Sequence, residues 1–102
     1  MKITMVKKVL DNGAPCKKCV EVEKRLKETG LMGRIDEVLI ADVNNPVSPG
    51  MIIAGQYNVD RAPFFVVEHE NGRVEVYTVF FKLLREVLEP EKDDEPLLSH
   101  AR

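Results

Sequence analysis

Long apolar runs are missing from this 102-residue chain. The longest uncharged apolar stretches near its start are Ile3 to Val6 and Val9 to Leu10, separated by Lys7 and Lys8. Neither approaches the length that crosses a bilayer or forms a signal-peptide core, so the chain is expected to be soluble and cytoplasmic, with no membrane partner. A charge excess is missing too. Lys and Arg number 15 against 17 Asp and Glu, a net −2, which provides no overall cationic footprint for phosphate and makes nucleic acid an unexpected partner. Internal repeats and low-complexity segments are absent. Cysteine is scarce: only Cys16 and Cys19 occur, whereas a small domain built for an oxidising compartment more often carries several spaced pairs. Two cysteines this close point to chemistry rather than scaffolding. At this length, with 44% hydrophobic residues, the chain can fill one modest core, so one domain is expected over residues 1–90, followed by a polar, flexible tail over residues 91–102.

Lys2 to Leu10 is rich in β-branched and apolar residues and ends in Asp11-Asn12-Gly13 and Pro15, which predicts a strand closed by a turn. From Cys16 to Thr29 the apolar positions Cys19, Val22 and Leu26 recur at three and four, with charges covering the other faces and Gly30 as the stop. Arg34 to Val43 is a dense apolar run suited to a buried strand. Strand, helix and strand in this order imply a parallel crossover. Ser48-Pro49 begins a short helix reaching Tyr57, with serine at the N-cap and proline in the first turn. Phe64 to Glu68 and Val74 to Tyr77, joined around Asn71-Gly72, form an antiparallel hairpin. Phe80, Phe81, Leu83, Leu84, Val87 and Leu88 supply the buried stripe of a last helix, and Pro90 bars its continuation. The order βαβ-α-ββα predicts an α/β fold with a four-stranded mixed sheet flanked by helices on both faces. The four phenylalanines are expected to serve as core. Charge is uneven: residues 1–30 hold eight basic against four acidic residues, and from Glu86 onward two basic face six acidic.

Cys16-Lys17-Lys18-Cys19 follows a strand and opens a helix. A spacing of three on a helix brings both thiols to one face, within reach of a disulfide. Unpaired N–H groups and the positive end of the helix dipole favour a thiolate at Cys16, and Lys17 and Lys18 are candidates for lowering its pKa further. Cys16 is then the nucleophile. Cys19, on the apolar stripe, is the resolving thiol that attacks a mixed disulfide from within. Two other uses of the pair stand beside this one. Half a zinc site would need further ligands, but His69 and His100 match no common zinc spacing, so no metal is expected. A purely structural disulfide would close a tiny loop and stabilise little. Lys17 and Lys18 also read simply as solvated helix-face residues.

These features resemble the thioredoxin/glutaredoxin superfamily over nearly the whole chain to Glu89. The likeness rests on the strand before Cys16-Lys17-Lys18-Cys19, on Ala41-Asp42-Val43, Asn45-Pro46 and Tyr57-Asn58-Val59, on Arg61-Ala62-Pro63, and on the Asn71-Gly72 turn with its following helix. The resemblance implies a cis peptide bond at Pro63, beside the cysteines, with Ala62 and Pro63 binding an extended substrate backbone; Arg61, next to them, is a candidate contact for acidic partners. It further implies a monomeric dithiol–disulfide oxidoreductase that acts on protein disulfides, receives electrons from a thioredoxin reductase or another dithiol, and needs no cofactor beyond the Cys16–Cys19 disulfide. Glutathione-linked glutaredoxin activity, and a dedicated thiol-relay or interaction role, are the alternatives. The chain departs from the pattern in several places. Pro15 stands where thioredoxins place a tryptophan, and Leu10 where they place a buried acid. Asp11 is adjacent to Leu10, but it points the other way along a strand and reads as a turn residue. Thr78-Val79-Phe80 lacks both the glycine of thioredoxins and the acidic Gly-Gly element of glutaredoxins.

Overall fold

A computed structural model describes residues 1–90. The four strands are β1 (Lys2–Val9), β2 (Glu37–Asp42), β3 (Phe64–Glu68) and β4 (Val74–Tyr77), and the helices are α1 (Lys17–Glu28), α2 (Pro49–Tyr57) and α3 (Phe80–Leu83). The sheet runs β2-β1-β3-β4, with β1 parallel to β2 and both other pairings antiparallel, so it is mixed. The expected α/β class, element order and four-stranded mixed sheet are all present. The polar tail expected from Glu91 lies outside the described residues. Among those described, no helix is long and apolar enough to cross a membrane.

Alternation along β1 divides the core. Ile3 and Met5 face α1 and α3, where they pack with Val22, Leu26, Phe65 and Leu83. Val6 faces the opposite side, where Ala41, Phe64 and Val66 meet the apolar side chains of α2. Leu26, Met5, Phe65 and Leu83 are all fully buried. At roughly 1.5–3 kcal/mol for each large apolar side chain, burial on this scale is what holds α1 and α3 to the sheet. Gly50 brings α2 close on the other face: a methyl group there would run into the backbone of Ile40 and Ala41. Ser48 stands at the N-cap of α2, but its hydroxyl accepts from the Asp42 N–H (3.0 Å) and donates to the Asn45 carbonyl (2.8 Å) instead of capping the helix. It ties the end of β2 to the start of α2.

Three expectations need correction. The second strand begins at Glu37, not Arg34, because residues Met32–Arg34 coil into a 3-10 turn. The Asp36 carboxylate then accepts the Ile3 N–H at 2.7 Å, fixing where pairing starts. The same strand is half exposed rather than buried: it is the sheet edge, and Val38 and Ile40 are each 38% exposed. Phe81 is not core. It lies one residue, or about 100°, around from Phe80, is 61% exposed, and has the Arg85 guanidinium 5.6 Å from its ring centre. Phe80 points inward against Phe65, with ring centres 6.2 Å apart. The chain then widens into a π-helical turn over Leu84–Leu88, closed by the Glu89 N–H on the Leu84 carbonyl at 2.7 Å.

Candidate functional site

The site forms where β1 ends. Gly13 takes φ +84° in a tight reversal held by the Leu10 and Gly13 N–H groups, and Asn12 caps the Ala14 N–H at 2.9 Å. Val9 and Pro15 then pair in a short bridge, and the Cys16 N–H donates to the Lys8 carbonyl at 3.0 Å. Cys16 is thereby fixed beside the sheet as the N-cap of α1. Its backbone is extended and its sulfur accepts the Cys19 N–H at 3.4 Å. A capping sulfur stands where oxygen usually does, and it faces N–H groups that have no partner within the helix.

The two thiols are unequal, and both are free. Cys16 is half-buried, whereas Cys19 is 1% exposed, beneath the first turn of α1. Burial alone would raise the Cys16 pKa. Hydrogen bonds from the Cys19 thiol, from the Cys19 and Lys18 N–H groups, and the positive charge of Lys8 outweigh it, so the pKa falls below that of an ordinary thiol. Cys19 moves the other way. Burial first, and then its interactions with Cys16, push it up to about 11, although the Lys8 N–H reaches its sulfur at 3.4 Å and the Lys7 charge opposes the rise.

Across the site, the Cys16 thiol points to the Ala62 carbonyl at 3.9 Å, and the Ala62–Pro63 peptide bond is cis. Pro63 is buried at the start of β3, Ala62 is half-buried, and Arg61 is exposed next to them. Cys16, Cys19, Ala62 and Pro63 are therefore brought together as expected from the sequence. Lys17 and Lys18 are exposed on the helix surface. Lys18 acts on Cys16 through its backbone N–H, and the leading charge on that sulfur is that of Lys8. Asp11 is exposed, and its carbonyl accepts from the Asn44 side chain at 2.9 Å, in keeping with a turn residue.

Two features escaped the sequence reading. Lys8 contacts both cysteines through its backbone and also lines a groove of about 510 Å³ between α2 and the loop before Pro63. Lys7, on the other face of β1, pairs with Glu23 at 2.8 Å, one helical turn beyond Cys19. Period-two alternation applied to Lys7-Lys8 would have sent one lysine to each face. His69 pairs with Glu75 at 2.8 Å in the hairpin, and His100 lies outside the described residues. Among the described residues, no three His, Cys, Asp or Glu side chains gather as a metal-binding group. Compared with family models, with curated proteins and with solved structures, the chain matches none.

Proposed function

We propose that the chain is a thioredoxin-like dithiol–disulfide oxidoreductase acting on protein disulfides. The observation that carries this reading is the half-buried Cys16 at the N-cap of α1, favoured as a thiolate, with a buried second thiol one turn below it and a cis-proline loop opposite. Each part has a task in disulfide exchange. The Cys16 thiolate attacks one sulfur of the substrate disulfide, a new S–S bond forms, and the other substrate sulfur leaves with the electron pair and takes a proton. Cys19 then loses its proton and attacks Cys16. The Cys16–substrate bond breaks, and the second substrate sulfur departs as a thiol. The substrate gains two electrons and two protons, and the pair is left as a Cys16–Cys19 disulfide.

The high pKa of Cys19 suits this order. In the reduced protein Cys16 helps to hold that proton in place. Once Cys16 is consumed in the mixed disulfide, that influence is removed, leaving burial opposed by the Lys8 N–H and the Lys7 charge. Resolution is thus easier after attack than before it. Ala62 and Pro63 supply the edge on which an extended substrate backbone rests, next to the reacting sulfur. A flavoprotein thioredoxin reductase or a small dithiol regenerates the pair, whereas glutathione turns it over poorly for want of the acidic Gly-Gly element. The test is dithiol-driven reduction of a model protein disulfide. Turnover that disappears in Cys16→Ser supports the reading; turnover retained in that variant refutes it.

A further inference from the structure

Lys8 lies on the α2 side of β1, as Val6 does, and its backbone fixes it against both cysteines: its carbonyl holds the Cys16 N–H at 3.0 Å and its N–H reaches the Cys19 sulfur at 3.4 Å. Lys8 lines the groove of about 510 Å³, as do Arg61 and Ala62. That volume falls within the range of ordinary ligand pockets, roughly 300–1,000 Å³. Its apolar lining comes from the half-buried Met51 and Ala54 and from the buried Ala41 and Phe64 beneath them. Neither Lys8 nor Arg61 makes an ion pair among the described residues. Asp60 also lines the groove, so two cations and one anion leave its charged lining at +1. A single carboxylate fits that balance better than a polyanion does. The groove adjoins Ala62, whose carbonyl faces the reacting sulfur, so a chain resting at Cys16 can reach into it.

Resting on the dithiol reading above, we infer that this groove selects the substrate: it receives an extended peptide segment with an acidic residue beside the cysteine under attack. Lys8 and Arg61 meet the carboxylate, and the apolar lining accepts a neighbouring aliphatic or aromatic side chain. The occupant is a polypeptide rather than a small anionic disulfide, because a backbone held at Ala62 continues into the groove and brings a neighbouring side chain against the half-buried Met51 and Ala54.

Two peptide disulfides differing only by Asp or Asn beside the cysteine test this, compared by kcat/KM under dithiol-driven turnover. Expected is a preference of about three- to fivefold for the Asp peptide at low salt, the upper end for a partly exposed charge pair, shrinking as salt is added. Lys8→Met and Arg61→Gln should each reduce the ratio toward one, and Lys8→Arg should restore it. Because Lys8 also acts on Cys16, the ratio is the diagnostic quantity: a general change in sulfur reactivity cancels from it. Equal rates for the two wild-type peptides, or a ratio that survives both Lys8→Met and Arg61→Gln, would each overturn the inference while leaving the dithiol reading intact; glutathione disulfide reduced as fast as the Asp peptide would overturn it and count against the preference for protein disulfides as well. Reduction of neither peptide overturns both.

Discussion

Replacing Cys19 by alanine should slow the chemistry of Cys16, although the substituted side chain is itself buried. The Cys16 thiolate is favoured first by the Cys19 thiol as a hydrogen-bond donor, then by backbone N–H groups, and last by Lys8. Alanine removes the first contribution and leaves the Cys19 N–H, 3.4 Å from the sulfur. A hydrogen bond to a charged acceptor contributes about 1.5–3 kcal/mol, and the lower end applies to a weak thiol donor at a half-buried sulfur. That lower end is a factor of about ten in thiolate population. A more basic sulfur is also a better nucleophile, and a Brønsted slope near 0.4–0.5 returns about threefold. Below the inflections of both proteins, where each is mainly thiol, the net expectation is alkylation of Cys16 about threefold slower. Well above the inflection, where both proteins are fully thiolate, the alanine variant should be about threefold faster. The two pH profiles must therefore cross. Cys19→Ser retains a donor and should lie between them. The assay is iodoacetamide labelling of the reduced protein from about pH 5 to about pH 10, followed by intact mass. Profiles that superimpose, or an alanine variant that is already faster on the acid limb below both inflections, would refute this account of how the sulfur is activated.

Two further outcomes follow from the packing and charge around the site. Gly50→Ala should lower stability by about 3 kcal/mol, the upper part of the usual overpacking range, because the methyl meets backbone that cannot rotate away; thermal unfolding should show Tm falling by roughly 15 °C, and an unchanged Tm would contradict the close approach of α2 to β2. The Glu23 carboxylate is held below its ordinary pKa of 4.5, chiefly by its hydrogen bond to Lys7. Its contribution is therefore present above pH 4.5 and lost as pH falls through the lowered folded-state value. Glu23→Gln should cost up to about 1 kcal/mol at neutral pH, with the difference from wild type fading in acid, as read by denaturant titrations at several pH values.

Much of the molecule was legible in the chain because local rules and the tertiary structure agree. Cys19, Val22 and Leu26 mark the buried stripe of α1 by spacing alone, and Asn71-Gly72 marks the hairpin. In the structure Gly72 sits at φ +90° and the His69 N–H meets the Arg73 carbonyl at 2.8 Å. Cys16 at the N-cap followed from its place between a turn and a helix. What was illegible depends on which elements become neighbours. The apolar run over Val38 and Ile40 reads the same in a central strand as in an edge strand, and only the sheet order exposes it. Phe81 joins an unbroken apolar series by composition, yet one helical step carries it out to solvent. Lys8 and Glu23 look like ordinary surface charges until the end of β1 is set against α1. The constraint on Gly50 exists only because α2 crosses so near to β2.

The central claim is that Cys16 attacks and Cys19 resolves. It is tested most directly by Cys19→Ser mixed with a peptide disulfide, followed by proteolysis and mass mapping of the product. The predicted result is a stable mixed disulfide in which the peptide is joined to Cys16, while wild type under the same conditions releases the peptide and becomes about 2 Da lighter by forming the Cys16–Cys19 bond. A Cys19→Ser protein that forms no adduct at Cys16, or a Cys16→Ser protein that traps the peptide equally well at Cys19, would contradict it.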